Sequence, residues 1–126
     1  MTSLLTVVRH YWVWSSLFLC VLITFLSLTP LAELPKAYGS DKLHHFIAYG
    51  VLVLPLALRK PRYWFVVVIG FALLSGAIEL IQPQVNRHGG WLDMLANVCG
   101  LGCGLVFAYF LNRYFPCQNK DENLLN

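Results

Sequence analysis

Charged residues are scarce in this sequence, and their scarcity decides its class. Only 12% of the 126 residues are Asp, Glu, Lys or Arg, whereas 58% are hydrophobic and the mean hydropathy is +0.63. A water-soluble chain of ordinary composition carries about 25% charged residues. The composition therefore predicts a small integral membrane protein.

Two further patterns are missing. The chain has no basic stripe interleaved with aromatic residues, which excludes nucleic acid from the predicted partners. Its four cysteines show neither a C-x-x-C motif nor a Cys/His metal spacing, and we interpret them as small apolar packing residues. We accordingly predict no metal and no cofactor. The cysteines are Cys20, Cys99, Cys103 and Cys117.

The apolar runs predict an all-α fold, a bundle of four transmembrane helices. The uncharged run Tyr11–Thr29 is about long enough to cross ~30 Å of hydrocarbon, and it is longer than the apolar part of a cleaved signal peptide. Three more helices are predicted over about Asp41–Leu58, Tyr63–Gln82 and Trp91–Leu111. The apolar part of the second, Phe46–Leu58, is too short to span a bilayer at about 1.5 Å per residue. Either that helix does not cross, or its polar start lies at or below the headgroups.

The distribution of positive charge predicts the orientation. Short cytoplasmic loops of membrane proteins are enriched in Lys and Arg. An antiparallel up-down bundle with both termini inside places six of them on the inner side and three on the outer side. We therefore expect residues 1–10 to be a cytoplasmic N-terminus, 11–111 to be one membrane domain, and 112–126 to be a polar cytoplasmic tail. The inner residues are Arg9, Arg59, Lys60, Arg62, Arg113 and Lys120, and the outer ones are Lys36, Lys42 and Arg87.

Polar residues recur at the predicted outer ends of three helices. Asp41, His45 and Tyr49 are spaced i, i+4 and i+8, so they share one face of the second predicted helix. Asp41 can also cap that helix, because its carboxylate can accept hydrogen bonds from the first turn. Lys42 lies beside it. Because helices alternate in direction, we expect this face to meet the outer ends of the next two helices.

Those two ends carry carboxylate and amide side chains. Glu79 and Gln82 close the third predicted helix, and Asp93 and Asn97 open the fourth. A carboxylate near the bilayer centre costs about 2.5–3.5 kcal/mol on insertion scales, so such groups face protein or water. We expect Glu79 and Asp93 to point inward and at least one of them to pair with Arg87.

A second pattern runs along the fourth predicted helix. Ala96, Gly100, Gly104 and Ala108 recur every four residues. A stripe of small residues lets another helix approach closely. The stripe predicts a packing surface, and the sequence leaves open whether the partner is another helix of this chain, a second copy or another membrane protein.

The order of these motifs resembles the VanZ-like family over about residues 41–110, with a first membrane helix in the expected place. In sequence letters the motifs are D-K-x-x-H-x-x-x-Y, then E-x-x-Q, then R-x5-D-x-x-x-N-x-x-G. Val85 and Asn86 stand where family members often have Pro-Gly, which alters the expected loop. The matching residues are Asp41, Lys42, His45, Tyr49, Glu79, Gln82, Arg87, Asp93, Asn97 and Gly100, with Gly104 following.

The resemblance implies a multi-pass protein of the bacterial cytoplasmic (inner) membrane with a role in the cell envelope. The family is named for a membrane protein linked to low-level resistance to the glycopeptide teicoplanin. An effect on glycopeptide susceptibility is therefore one expectation, although the resemblance does not supply a reaction.

Three functions fit the polar residues. The favoured hypothesis is an outer cavity that binds an anionic lipid or a lipid-linked envelope precursor, with Lys42 and Arg87 contacting the headgroup. The alternatives are a helix-packing latch that assembles with a partner, and an acid/base or metal-dependent enzyme. Catalysis is less favoured, and no catalytic residue is assigned, because the cluster lacks a nucleophilic Ser or Cys and any H-E-x-x-H motif. The predicted binding residues are Asp41, Lys42, His45, Tyr49, Glu79, Gln82, Arg87, Asp93 and Asn97. In the enzyme alternative the candidate metal ligands are Asp41, His45, Glu79 and Asp93.

Overall fold

The regular elements of the chain are helices wherever the structure describes it. The structure is a computed structural model that describes residues 2–29, 41–85 and 90–116. The predicted all-α class is confirmed for these residues. The elements are α1 (Thr2–His10), α2 (Trp12–Leu28), α3 (Asp41–Arg59), α4 (Trp64–Ile81) with a following 3₁₀ turn (Gln82–Val85), and α5 (Trp91–Tyr114).

The N-terminal residues form a helix that the sequence analysis did not predict. The short helix α1 meets α2 at an angle of 83°. Leu5 and Arg9 on one face of α1 are buried, while Leu4 and Val7 are exposed. Residues 2–10 therefore pack against the bundle instead of forming a simple polar leader. At the other terminus, α5 continues past Leu111, where the prediction ended it.

Two helices are long and apolar enough to cross a membrane, namely Trp64–Val85 and Trp91–Tyr114. The bent pair of α1 and α2 would make a third span if it is counted as one segment. Among the described helices, α3 does not meet the same criterion. These helices are those of a membrane protein, whereas four crossings with both termini inside stay a prediction.

Helix α3 lies at the centre of the bundle although it is less apolar than its neighbours. Its residues Tyr49, Leu52, Val53 and Leu56 are almost completely buried. They pack in one core with residues of the three long helices around them. Neighbouring helices therefore cover one side of α3, so polar residues on that side can lie within protein, whereas Leu43, Ile47 and Val51 are exposed. The surrounding core residues are Ile23 of α2, Phe71 of α4 and Leu101 of α5.

The stripe of small residues on α5 packs against α3 of the same chain. A Cβ atom at Gly100 would collide with the backbone carbonyl of Phe46, and one at Gly104 would lie 2.5 Å from the carbonyl oxygen of Gly50. Ala108 is fully buried in the same stripe. The two backbones therefore approach so closely that only glycine fits at both positions. This contact answers the question of the partner helix that the sequence left open.

Large apolar side chains cover the outer surface of the bundle, as expected where lipid is the solvent. Trp14 of α2 and Trp91 of α5 are among the most exposed of them. Cys20 packs partly against the core, but Cys99 and Cys103 are exposed on α5. The interpretation of the cysteines as packing residues is therefore wrong for these two, and Cys117 lies outside the described residues.

Candidate functional site

Four polar side chains from three helices meet inside one end of the bundle. His45 comes from α3, Glu79 from the last turn of α4, and Asp93 and Asn97 from the start of α5. Each is buried, with at most 8% of its surface exposed. We call these four residues the polar cluster. They converge because antiparallel neighbours bring the start of α3, the end of α4 and the start of α5 to the same level.

Asn97 is the centre of the hydrogen bonds in the polar cluster. Its Oδ1 lies 3.1 Å from Nδ1 of His45. Its Nδ2 donates to the hydroxyl of Ser75 at 2.7 Å and to Oε1 of Glu79 at 3.4 Å. One amide therefore links α3, α4 and α5, and both of its ends are used.

Glu79 connects the polar cluster to the chain that leads into α5. Its Oε2 accepts a hydrogen bond from the backbone N–H of Gly90 at 3.2 Å. Its Oε1 lies 3.8 Å from Nδ1 of His45, which becomes an ion pair when the imidazole is protonated. The carboxylate thus fixes where α5 begins relative to the end of α4.

Asp93 and Lys42 form the side of the polar cluster that opens to the surroundings. The Lys42 ammonium lies 4.0 Å from Oδ1 of Asp93, and the two side chains are 57% and 11% exposed. Asp93 is therefore a buried carboxylate whose described partner is a mostly exposed cation at the limit of ion-pair distance.

The titratable groups of the polar cluster are close enough to act on one ligand. One ligand atom from each of His45, Glu79 and Asp93 lies within 4.8 Å of the other two. Two carboxylates and an imidazole at this spacing can bind a cation or exchange protons with a bound molecule.

Two predicted site residues, Gln82 and Tyr49, make no described hydrogen bond to the polar cluster. Gln82 is fully buried, but its Nε2 donates to the backbone carbonyl of Ser27 at 3.1 Å, so it links the 3₁₀ turn to the end of α2. Tyr49 is 1% exposed, and its hydroxyl makes no hydrogen bond to any described residue, although Ser75 and Glu79 lie near it. Arg87 and the side chain of Asp41 lie outside the described residues.

Sequence reasoning missed Ser75, which is fully buried beside Asn97. Its position four residues before Glu79 was the available signal, since i and i+4 share a helix face. A hydroxyl in an otherwise apolar run on the face of a buried carboxylate is a candidate partner for it.

A second buried polar group lies at the other end of α3 and α5. Arg9 of α1 donates to Oδ1 of Asn112 at 2.7 Å and to the backbone carbonyl of Phe115 at 2.9 Å. Asn112 in turn donates to the carbonyl of Ala57 at 3.2 Å. We call Arg9 and Asn112 the Arg9 cluster. The charge pattern predicts Arg9 only as a residue of the cytoplasmic side, and its burial is a finding of the structure.

The order of the polar residues in the chain can be compared with known families. A family model described as VanZ/LLP1 matches residues 2–112. The chain belongs to the VanZ/LLP1 family. The match covers α1 to α4 and α5 as far as Asn112, and thus every residue of the polar cluster, and it confirms the family that the motifs indicated. Neither the curated proteins nor the solved structures include a match to this VanZ/LLP1 protein.

Proposed function

We propose that this VanZ/LLP1 protein binds the phosphate-bearing headgroup of an anionic lipid or a lipid-linked envelope precursor at the polar cluster. The observation that carries the proposal is the position of the cluster. It is buried between helix ends, yet Asp93 connects it to the mostly exposed ammonium of Lys42. In the proposed orientation a headgroup would lie at this level of the membrane, and the Lys42 side is where a lipid would enter.

Cationic groups near the opening supply the contacts that a phosphate needs. Lys42 has a largely exposed ammonium at 4.0 Å from Asp93. Arg87 precedes Gly90 by three positions in the sequence, and the Gly90 N–H is bonded to Glu79. Arg binds phosphate oxygens in pairs and Lys acts as a point charge. In this proposal both residues hold the headgroup, while Asn97 and Glu79 fix the helices around it.

A ligand site accounts for the composition of the polar cluster better than a packing latch does. Asn97 and Ser75 already link α4 and α5 with a neutral hydrogen bond of 2.7 Å. Glu79 and Asp93 add two buried carboxylates, and buried charge is costly unless it is fully paired. A pure latch gains little from the Asp93 carboxylate, namely an ion pair with exposed Lys42 and a favourable position in the first turn of α5. Ionisable groups inside membrane proteins commonly mark binding sites and pathways.

The proposal places the polar cluster on the outer side of the bacterial cytoplasmic membrane, with α3 crossing inside the other three long helices. The dense positive segment Arg59–Arg62 between α3 and α4 supports this orientation. If the bound molecule is a peptidoglycan precursor, loss of the site is expected to change teicoplanin susceptibility in cells.

The test compares Glu79→Gln and Arg87→Ala with wild type and with Arg62→Ala, an exposed cation next to α4. Each protein is purified in mild detergent, its thermal stability is recorded, and its co-purifying lipids are identified by mass spectrometry. We expect both site variants to stay folded and to lose a lipid that wild type and Arg62→Ala retain. Aggregation of both variants, with no distinctive lipid on wild type, would make the polar cluster a latch and refute the proposal.

A further inference from the structure

We infer that the polar cluster binds a divalent transition-metal cation, with His45, Glu79 and Asp93 as its ligands and Asn97 beside them. Zn²⁺ and Mn²⁺ are the candidates, because imidazole and carboxylate ligands together suit such ions. The inference builds on the proposed function, since the cation would lie where the headgroup phosphate binds. It departs from the sequence-based expectation of no metal.

The distances between the ligand atoms are close to those of a metal site. Nitrogen and oxygen ligands lie about 2.0–2.2 Å from Zn²⁺, which puts neighbouring ligand atoms about 3.0–3.6 Å apart. Nδ1 of His45 is 3.8 Å from Oε1 of Glu79. To bind an ion through this atom, His45 would give up the proton that it shares with Oδ1 of Asn97 at 3.1 Å. The three titratable side chains all lie within 4.8 Å of one another. The three side chains would move closer together on binding an ion.

The charge of the polar cluster favours a cation. Glu79 and Asp93 together bring a formal charge of −2 into a buried site, while Lys42 at 4.0 Å is mostly exposed. Buried charges in membrane proteins are paired or coordinate a metal. A divalent cation would neutralise both carboxylates at once, and it would do so at the point where His45 can add a nitrogen ligand.

One buried side chain points independently to a missing ligand. The Tyr49 hydroxyl, on a side chain that is 1% exposed, makes no hydrogen bond to a described residue and lies near Glu79 and Ser75. Buried polar groups are nearly always hydrogen-bonded in folded proteins. A water on the cation, or a phosphate oxygen, would give Tyr49 a partner.

A bound cation also removes a conflict in the proposed function. Without it, Glu79 and Asp93 would repel the anionic headgroup that Lys42 and Arg87 attract. With it, the centre of the site carries positive charge, because a bound divalent ion dominates the local electrostatics. Asn97 and Ser75 then act as supporting residues that orient Glu79 toward the ion, as outer-shell partners do in other metal sites.

The experiment measures metal content directly. Protein purified in detergent without a polyhistidine tag is stripped with a chelator, equilibrated with Zn²⁺ or Mn²⁺ and freed of excess ion. Metal per chain is then measured by mass spectrometry. We expect about one ion per chain in wild type, and at least tenfold weaker binding in His45→Gln and Asp93→Asn. The matched control is His44→Gln, the neighbouring histidine on α3, which should bind like wild type.

A melting experiment keeps the inference testable if a variant does not fold. Zn²⁺ or Mn²⁺ should raise the melting temperature of stripped wild type, since a ligand that binds only the folded state stabilises it. No rise in melting temperature, or equal metal content in wild type and folded Asp93→Asn, would overturn the inference. Stripped protein that binds no added metal but retains lipid would refute the metal alone, whereas bound metal without any lipid would refute the headgroup proposal alone.

Discussion

The two buried polar groups lie at opposite ends of the same pair of helices, α3 and α5. In the Arg9 cluster, an arginine 6% exposed bonds to one amide oxygen and one backbone carbonyl, and the amide nitrogen bonds to a second carbonyl. In the polar cluster, Asn97 links its neighbours in a similar way, but Glu79, Asp93 and His45 are added to it.

The difference separates a structural contact from a candidate site. The Arg9 guanidinium meets the carbonyl of Phe115 at the C-terminal end of α5, where the helix dipole favours positive charge. Its hydrogen bonds hold α1 against α5 without a titrating acid among the described residues. The polar cluster has more ionisable groups than its hydrogen bonds use, and such an excess is expected where a ligand completes the site.

Breaking the contact between α3 and α5 should disrupt the polar cluster and the Arg9 cluster together. Of all the predictions, we expect this one to have the largest effect on stability. Gly100→Ala places a methyl group against the Phe46 carbonyl, and we expect it to lower the free energy of unfolding by about 3 kcal/mol. Gly102→Ala is the matched control, because no atom lies within 4 Å of its added Cβ. The control should be neutral or more stable by up to about 1 kcal/mol. Denaturation in mixed micelles measures both, and equal stabilities would contradict the helix contact.

Arg9→Ala should weaken only the Arg9 cluster. It removes two hydrogen bonds from a charged donor and leaves the carbonyl of Phe115 without that partner, so we expect a loss of about 2–3 kcal/mol. The protein that remains folded should bind lipid and metal like wild type. Arg62→Ala, which removes an exposed arginine, is the reference variant in the same stability and binding measurements. An Arg9→Ala protein that is fully stable but has lost its ligand would reverse the roles assigned to the two ends.

Ser75→Ala should have a smaller effect on the polar cluster. It removes one neutral hydrogen bond from Asn97, which corresponds to about 0.5–1.5 kcal/mol of stability. Because Asn97 also donates to Glu79, we expect ligand binding to weaken but not to disappear. The free energy of unfolding and the metal affinity, measured on the same preparation, test both expectations. Unchanged stability would show that the 2.7 Å bond contributes nothing to the fold.

Asp93→Asn should change stability least, and in the opposite direction. It removes a buried carboxylate whose described partner is 4.0 Å away, so we expect a gain of up to about 1 kcal/mol together with a loss of ligand binding. Lys42→Met is its companion, since it removes the other member of the pair. A clear destabilisation by Asp93→Asn would mean that the carboxylate serves the fold and not a ligand.

Sequence patterns predicted much of this arrangement because they follow from periodicity. The helical positions of His45, Glu79 and Asn97 and the alternation of helix direction were enough to predict that they meet. The stripe at Gly100 and Gly104 predicted a close helix contact, but the choice of α3 depends on which backbone carbonyls face it. That choice is a property of packing between distant segments, which no local pattern contains.

Other features could not be predicted for the same reason. The burial of Arg9 depends on Asn112 and Phe115, more than a hundred positions away. Gln82 shares a motif with Glu79, yet its contact with Ser27 turns it toward α2. In both cases the residue type and spacing were visible, and the partner was supplied only by the fold.

The most direct test of the central claim is the ratio of bound lipid to folded protein in Glu79→Gln and Arg9→Ala, measured side by side with wild type. The account predicts that Glu79→Gln keeps its fold and loses the lipid, while the folded fraction of Arg9→Ala keeps it. Equal lipid ratios in the two variants, whether both high or both low, would contradict the assignment of binding to one end and stability to the other.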